Sequence, residues 1–316
     1  MAMYRAVEHR IDGVDVVTIE DGEGAVAEIV PSLGNTCWRF ECDGPVLEAV
    51  ERPAFLAKPT ACGIPLLFPF PNRVRDGRFE FEGREVVVNP PRHGFVRDRA
   101  WKVENVTATS LDGVTVRSVF DAADHPDILA QWPSSFRLAA AYRLFERTLT
   151  LTFEIENTGD RAFPYGYGIH PYFERPARGV VRVPASERWV LDDSLPTGER
   201  VEVSGGYDLR AGADVLEVQL DDILTGLDAD ERGEVRCEID DLETEWRTTV
   251  RFERAAFPHV VVYTPPAPRT AICVEPNTCP TDAFNLSSRG LDANVLVLGP
   301  GQSARFEVHI ERSRIE

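Results

Sequence analysis

The stretch Thr148-Leu149-Thr150-Leu151-Thr152-Phe153-Glu154-Ile155 alternates polar and apolar side chains without a break. Successive side chains of a strand point to opposite faces, so Leu149, Leu151, Phe153 and Ile155 share one face and the threonines and Glu154 the other. A helical period of 3.6 does not produce this pattern. The same two-residue period continues outward. Upstream it marks strands at 25–30, 36–42, 84–88, 101–108, 114–120 and 136–145, and downstream at 180–183, 188–191, 235–239, 248–252, 259–263 and 305–310. Asp43-Gly44, Asp76-Gly77, Glu82-Gly83, Asp112-Gly113 and Gly159-Asp160 supply turns between them. Only 126–131 and a segment at 220–224 read as short helices. Many strands, hairpin-type turns and no regular helical partner specify an all-β chain built as an antiparallel β-sandwich.

Of the 316 residues, 43% are hydrophobic, enough for a substantial core. No internal repeat, low-complexity tract or break in composition divides the chain, so residues 1–316 are expected to form a single domain. The 52 acidic residues outnumber 34 basic ones and give a formal charge of -18. Such a surface repels phosphate backbones and anionic lipid, which disfavours nucleic acid and membranes as partners. Local arginines can still reverse the field inside one pocket. The first ten residues carry no apolar h-region and no apolar run is long enough to span a bilayer. Six cysteines, none in a CxxC pair, are expected as reduced thiols; together these features imply a cytoplasmic protein, acting as a monomer or homodimer.

Four polar residues stand in short, rigid, aromatic-rich phrases. Arg73 ends Pro71-Asn72-Arg73, His93 opens His93-Gly94-Phe95, His170 opens His170-Pro171-Tyr172-Phe173, and Glu275 lies in Val274-Glu275-Pro276-Asn277. His170 and Glu275 each precede a proline, which pushes them toward extended backbone and limits their freedom. One arginine, two histidines and one carboxylate make a proton-transfer set suited to a neutral, hydroxyl-rich substrate. Their spacing is that of neither a phosphate loop nor a metal site, with no His-x-His and no close cluster of histidine and carboxylate. The bland readings differ at each position: His170 satisfying a buried hydrogen bond, Glu275 as an exposed strand-end acid, Arg73 as a solvated loop cation, His93 shaping a turn. Phe68, Phe70, Phe95, Trp101, Tyr172 and Phe173 read as core more than as a platform for a sugar. His9, His125, His259 and His309 have no comparable setting.

The run 63–73 (Gly-Ile-Pro-Leu-Leu-Phe-Pro-Phe-Pro-Asn-Arg) with 92–101 (Arg-His-Gly-Phe-Val-Arg-Asp-Arg-Ala-Trp) resembles the first signature of the aldose 1-epimerases, the galactose mutarotase family. Residues 168–173 resemble its second signature and 273–285 its third, in the family's order and over nearly the whole chain. The resemblance implies a large antiparallel β-supersandwich with a sugar-binding cleft and neither cofactor nor metal. It implies Glu275 as general base and His170 as general acid, with His93, Arg73 and the neighbouring Asn72 binding sugar. The segment 220–224 resembles the one that carries a sugar-binding aspartate; Asp221 is taken for it, with Asp222 adjacent. Two departures bear on substrate. Phe95 stands where galactose mutarotases have glycine, and His93-Gly94-Phe95 followed by Arg97 is similar to the hexose-6-phosphate 1-epimerases, in which arginines such as Arg73, Arg97 and Arg99 would grip phosphate. Asn72-Arg73 resembles the free-sugar branch, and a guanidinium fork serves either ligand.

The chemistry supports these roles separately. Exchanging anomers requires the C1–O5 bond to break, rotation about C1–C2, and closure on the other face of the aldehyde. A base takes the anomeric hydroxyl proton while an acid protonates O5, each placed group contributing about 10²–10⁴ in rate. Histidine titrates near neutrality and suits O5. Two other classes compete: a silent carbohydrate-binding protein on the same fold, which would not need both Glu275 and His170, and a glycoside hydrolase or lyase, for which a carboxylate pair is the usual equipment.

Overall fold

Two large antiparallel sheets dominate the computed structural model, which describes residues 3–315. The nine-stranded sheet is ordered Ala213–Asp214, Gly179–Arg182, Glu234–Asp241, Trp246–Glu253, Ser303–Arg314, Thr148–Asn157, Phe136–Phe145, Gly113–Asp121, Lys102–Thr109. The stretch that opens the sequence argument lies near its middle, and Leu149, Leu151, Phe153 and Ile155 all enter the core. The eight-stranded sheet is ordered Leu195–Glu202, Ala185–Asp192, Asp221–Leu227, His259–Tyr263, Ala271–Asn277, Gly168–Ile169, Leu66–Leu67, with Tyr172–Glu174 also paired to Ala271–Asn277. A four-stranded sheet, Arg5–Ile11, Val14–Glu20, Ala25–Val30 and Thr36–Cys42, forms the N-terminal part.

A single hydrophobic cluster runs through these sheets from Val17 to Ile310. It takes Phe136, Phe153 and Val308 from the nine-stranded sheet and Leu224, Val260, Val262 and Val274 from the eight-stranded one. All six cysteines are buried free thiols. No helix among the described residues is long and apolar enough to cross a membrane.

Three sequence readings need correction. The segment 220–224 is not a helix but the start of strand Asp221–Leu227, because its apolar residues Ile223 and Leu224 each find a sheet face to pack on. Strands Arg5–Ile11 and Leu195–Glu202 went unread, since they are half-exposed and too polar to show an apolar period. Helices Arg52–Ala57 and Ala283–Ser288, of six residues each, are too short for a 3.6 period to declare itself.

Candidate active site

The face of the eight-stranded sheet turned away from the main core carries a ladder of polar side chains. Strand register pairs Asp221 with Tyr263 and Tyr263 with Cys273, and in the next row Ile223 with Val261 and Val261 with Glu275. Residues of the intervening parity, Leu224, Val260, Val262 and Val274, are core. The period of two thus delivers Glu275 and Asp221 to one face while neighbouring valines anchor the strands. Every residue of Ala271–Asn277 is buried, Glu275 included.

His170 reaches Glu275 from the adjoining turn. Gly168 pairs with both Leu67 and Asn277, the His170 amide donates to Pro65 O (3.0 Å), and the Tyr172 amide donates to Gly63 O (2.9 Å). Gly168 has to be glycine, since a Cβ there would stand 1.7 Å from Asn277 Oδ1. His170 Nε2 then lies 3.3 Å from Glu275 Oε1. The imidazole stacks on Tyr172 with centroids 4.5 Å apart and planes at 12°, and meets the Tyr263 and His93 rings edge-on at 5.8 and 5.6 Å. This ring packing and the Nε2 contact with Glu275 together set its orientation. Tyr172 is steadied in turn by the Arg269 guanidinium, 4.9 Å from its ring centroid. Buried Glu48 holds Arg269 through Nε and Nη2 and accepts from the Thr270 amide at 3.1 Å.

The first signature supplies the opposite wall. Gly94, at φ 68, passes so close to Phe68 O that a Cβ would approach it to 2.0 Å, and the Phe95 amide donates to the same oxygen (2.8 Å). This crossing brings His93 beside Asn72 and pairs Arg73 with Arg92 in an isolated bridge. Asn72 and His93 both hold positive φ, 53 and 61, in the left-handed region that asparagine and histidine tolerate better than most side chains. His93 Nδ1 faces the Asn72 amide (3.1 Å) and Nε2 faces Arg92 Nε (3.1 Å). A neutral imidazole has one N–H, so both nitrogens cannot accept. The backbone amide is fixed, so Nδ1 accepts from it and Nε2 carries the proton, which leaves the 3.1 Å approach of Arg92 Nε without an acceptor.

Burial governs the electrostatics. It raises the Glu275 carboxyl well above its ordinary range, reinforced by Asp221 and opposed by Arg92. It lowers His170 to about 3, helped by Arg92, Arg97 and Arg269, and depresses His93 well below its usual value. Burial thus favours the uncharged form of each partner, a protonated carboxyl beside a neutral imidazole. Arg73 and Arg97 are also lowered, by burial first and then by Arg92 in Arg73 and despite Asp98 in Arg97. Arg73 Nη1 donates to Asn72 Oδ1 (3.2 Å); none of Arg73, Arg92 and Arg97 pairs with a carboxylate among the described residues.

The fold therefore gathers Glu275, His170, His93, Asn72, Arg73, Arg97 and Asp221 around one spot. Asp221 interacts with Glu275 and Arg73, whereas half-buried Asp222 turns to the other side of its strand beside Arg188. Arg99 is not part of the group, being ion-paired with Asp127. Phe95 is core, packed edge-on to Phe70 and Trp132. An open groove of about 660 Å³ lies elsewhere, where exposed Glu82, Arg84, Glu85, Asp160 and Arg161 surround Trp132. It contains no buried histidine or carboxylate, so its size does not make it the reactive site.

The model of the family "Aldose 1-epimerase" matches residues 15–311. The chain belongs to the aldose 1-epimerase family. Its relatives include the Escherichia coli protein YihR, 25% identical over 270 residues, covering 78% of this chain and 79% of YihR. A galactose mutarotase-like protein from Clostridium acetobutylicum superposes with a TM-score of 0.89 at 20% identity, covering 99% of both chains. The galactose 1-epimerase of Lactobacillus acidophilus gives 0.80 at 18% identity over 100% of both. At that identity the structural matches establish the fold, an antiparallel galactose mutarotase-like one.

Within this aldose 1-epimerase family chain, four neighbours of the site went unread. Arg92 directly precedes His93, Tyr263 ends a recognised strand, and Cys273 stands two residues before Glu275 on the same face of a strand buried throughout. Tyr172 was assigned to the core; it is buried, but it is also the surface on which His170 stacks. The sequence reading also saw no cluster of metal-type ligands, yet the fold brings His170, Cys273 and Glu275 together.

Proposed function

We propose that this aldose 1-epimerase family protein interconverts the α and β anomers of a free aldose by acid/base ring opening and closure. The observation that carries the reading is a buried imidazole 3.3 Å from a buried carboxyl. Ring opening needs one group to accept the O1 proton and another to donate to O5, with no change in the total. A pair holding one proton meets that need from either microstate: carboxylate with imidazolium, or carboxylic acid with imidazole. Opening converts one microstate into the other, and closure on the second aldehyde face restores the first. Burial and Asp221 favour the carboxylic acid with neutral imidazole, and Arg92 opposes them at the carboxyl.

The surrounding groups bind and orient. Arg73, the Nε2–H of His93 and the Asn72 side chain donate to sugar oxygens, and Asp221 accepts from a hydroxyl on the side facing Glu275. The low-dielectric floor of Val261, Ile223 and Trp189 strengthens each of these contacts. Polarimetry tests the reading: freshly dissolved α-glucose, α-galactose and α-xylose should each be followed with and without protein. Acceleration of at least one supports it; no acceleration of any, beside demonstrated binding, would leave a sugar-binding protein.

One observation favours a second substrate class. The three guanidiniums without carboxylate partners, Arg73, Arg92 and Arg97, form a positive rim on a strongly acidic protein. Such a rim suits a hexose 6-phosphate, and preferential acceleration of glucose 6-phosphate over glucose would select it.

A further inference from the structure

Cys273 takes no part in the proton transfers proposed above, although it lies beside the groups that do. It is fully buried, it shares the face of Glu275 two residues away, and Tyr172 and Tyr263 pack around it. One ligand atom each from His170, Cys273 and Glu275 lies within 4.8 Å of the other two. Imidazole, thiolate and carboxylate are the donors that bind zinc in three-residue sites with an open fourth position.

The spacing fits. Two ligands about 2.0–2.1 Å from a tetrahedral ion stand roughly 3.3 Å apart, and His170 Nε2 and Glu275 Oε1 are 3.3 Å apart. A sulfur ligand needs to come within roughly 3.5 Å of each, about an ångström nearer than the 4.8 Å bound on the cluster. Stacking on Tyr172 already fixes the imidazole, so binding an ion costs little ordering of that ligand. Asp221 and the net charge of -18 favour cations at the site, while Arg92, Arg97 and Arg269 oppose them. A hard ion such as Mg²⁺ prefers an all-oxygen shell and is not matched by sulfur.

We propose that His170, Cys273 and Glu275 form a binding site for a borderline-soft divalent cation of the zinc class, and that occupation of this site switches the proton pair off. The regulatory half of this proposal rests on the mutarotase reading. The ion binds thiolate, carboxylate and neutral imidazole. The thiol proton and the proton shared by the pair leave to solvent, about two per ion. The lone pairs that would carry the O1 and O5 protons are then committed to the metal, with water as fourth ligand. Metal binding and ring opening thus exclude one another.

The test uses Co²⁺ as a coloured stand-in for Zn²⁺, with Mg²⁺ as control. Wild type should show a cobalt–thiolate charge-transfer band, calorimetry with Zn²⁺ should report the release of about two protons, and Zn²⁺ should inhibit mutarotation competitively with sugar and reversibly by chelator. Cys273→Ser and Cys273→Ala should both keep mutarotation, lose the band, and need at least about tenfold more Zn²⁺ for inhibition. A wild type without the band overturns the proposal, as does zinc inhibition unchanged in both variants. Should no sugar be turned over, band and proton count still decide whether the metal site exists, separately from the activity.

Discussion

The outer face of the nine-stranded sheet and the site on the eight-stranded sheet are built from the same material, arginine and carboxylate, and they use it in opposite ways. On the nine-stranded sheet the charges are paired across strands: Arg117 with Glu104 (2.8 Å) and Glu154 (2.7 Å), Arg182 with Asp240 (2.7 Å), Arg247 with Asp240 (2.6 Å) and Glu238 (3.0 Å). At the eight-stranded sheet Arg73, Arg92 and Arg97 have no carboxylate partner, and a carboxyl and two histidines are buried. Paired charges on a solvated face satisfy one another and call for no ligand. Unpaired donors beside a buried acid and base cost stability, and that cost is recovered when a hydroxyl-rich molecule supplies the missing partners.

The contrast breaks most visibly at the pair itself. Glu275→Gln or His170→Asn should lower kcat for anomer exchange by about 10²–10⁴ with little change in sugar affinity, read by polarimetry. Tyr172→Leu removes the surface that orients His170 and should cost up to about 10² in kcat, whereas Tyr172→Phe keeps the stack and most of the activity. Arg73→Ala loses a charge-assisted hydrogen bond and should raise KM about tenfold or more, with a smaller effect on kcat.

Stability should respond to pH with opposite signs at the two members of the pair. Glu275 has a folded pKa above its unfolded value of 4.5, so its contribution is full below that pH and is lost as pH rises toward the folded pKa. His170 falls from 6.5 to about 3 on folding, so its contribution is full above 6.5 and is lost as pH falls toward 3. Chemical denaturation should therefore show Glu275→Gln gaining on wild type as pH rises above 4.5, and His170→Asn gaining as pH falls below 6.5. Smallest of all, Arg117→Ala on the paired face should change stability by no more than about 1 kcal/mol and leave exchange untouched.

How far the sequence reached also differs between the sheets. The nine-stranded sheet was legible because its strands bury one face and solvate the other, which writes period two directly into 136–145 and 148–155. Strand Ala271–Asn277 is buried on both faces, so Ala271 to Val274 showed an apolar run and Glu275 its interruption, but no alternation. Asp221–Leu227 was taken for a helix because two adjacent aspartates and two adjacent aliphatics mask the alternation; sheet register alone separates Asp221 from Asp222. His170, His93, Arg73 and Glu275 were readable from their proline-bounded phrases. Arg92, Tyr263 and Cys273 were not, since only tertiary pairing shows which strand faces meet.

The most direct test of the central claim is two-dimensional exchange NMR on equilibrated anomers of glucose, galactose, xylose and glucose 6-phosphate, comparing wild type with Glu275→Gln, His170→Asn and Arg117→Ala. The account predicts cross-peaks between α and β C1 protons, for at least one sugar, with wild type and Arg117→Ala but not with either pair variant. Equal exchange in wild type and in the Glu275→Gln and His170→Asn proteins, or sugar binding by wild type without exchange, would contradict it.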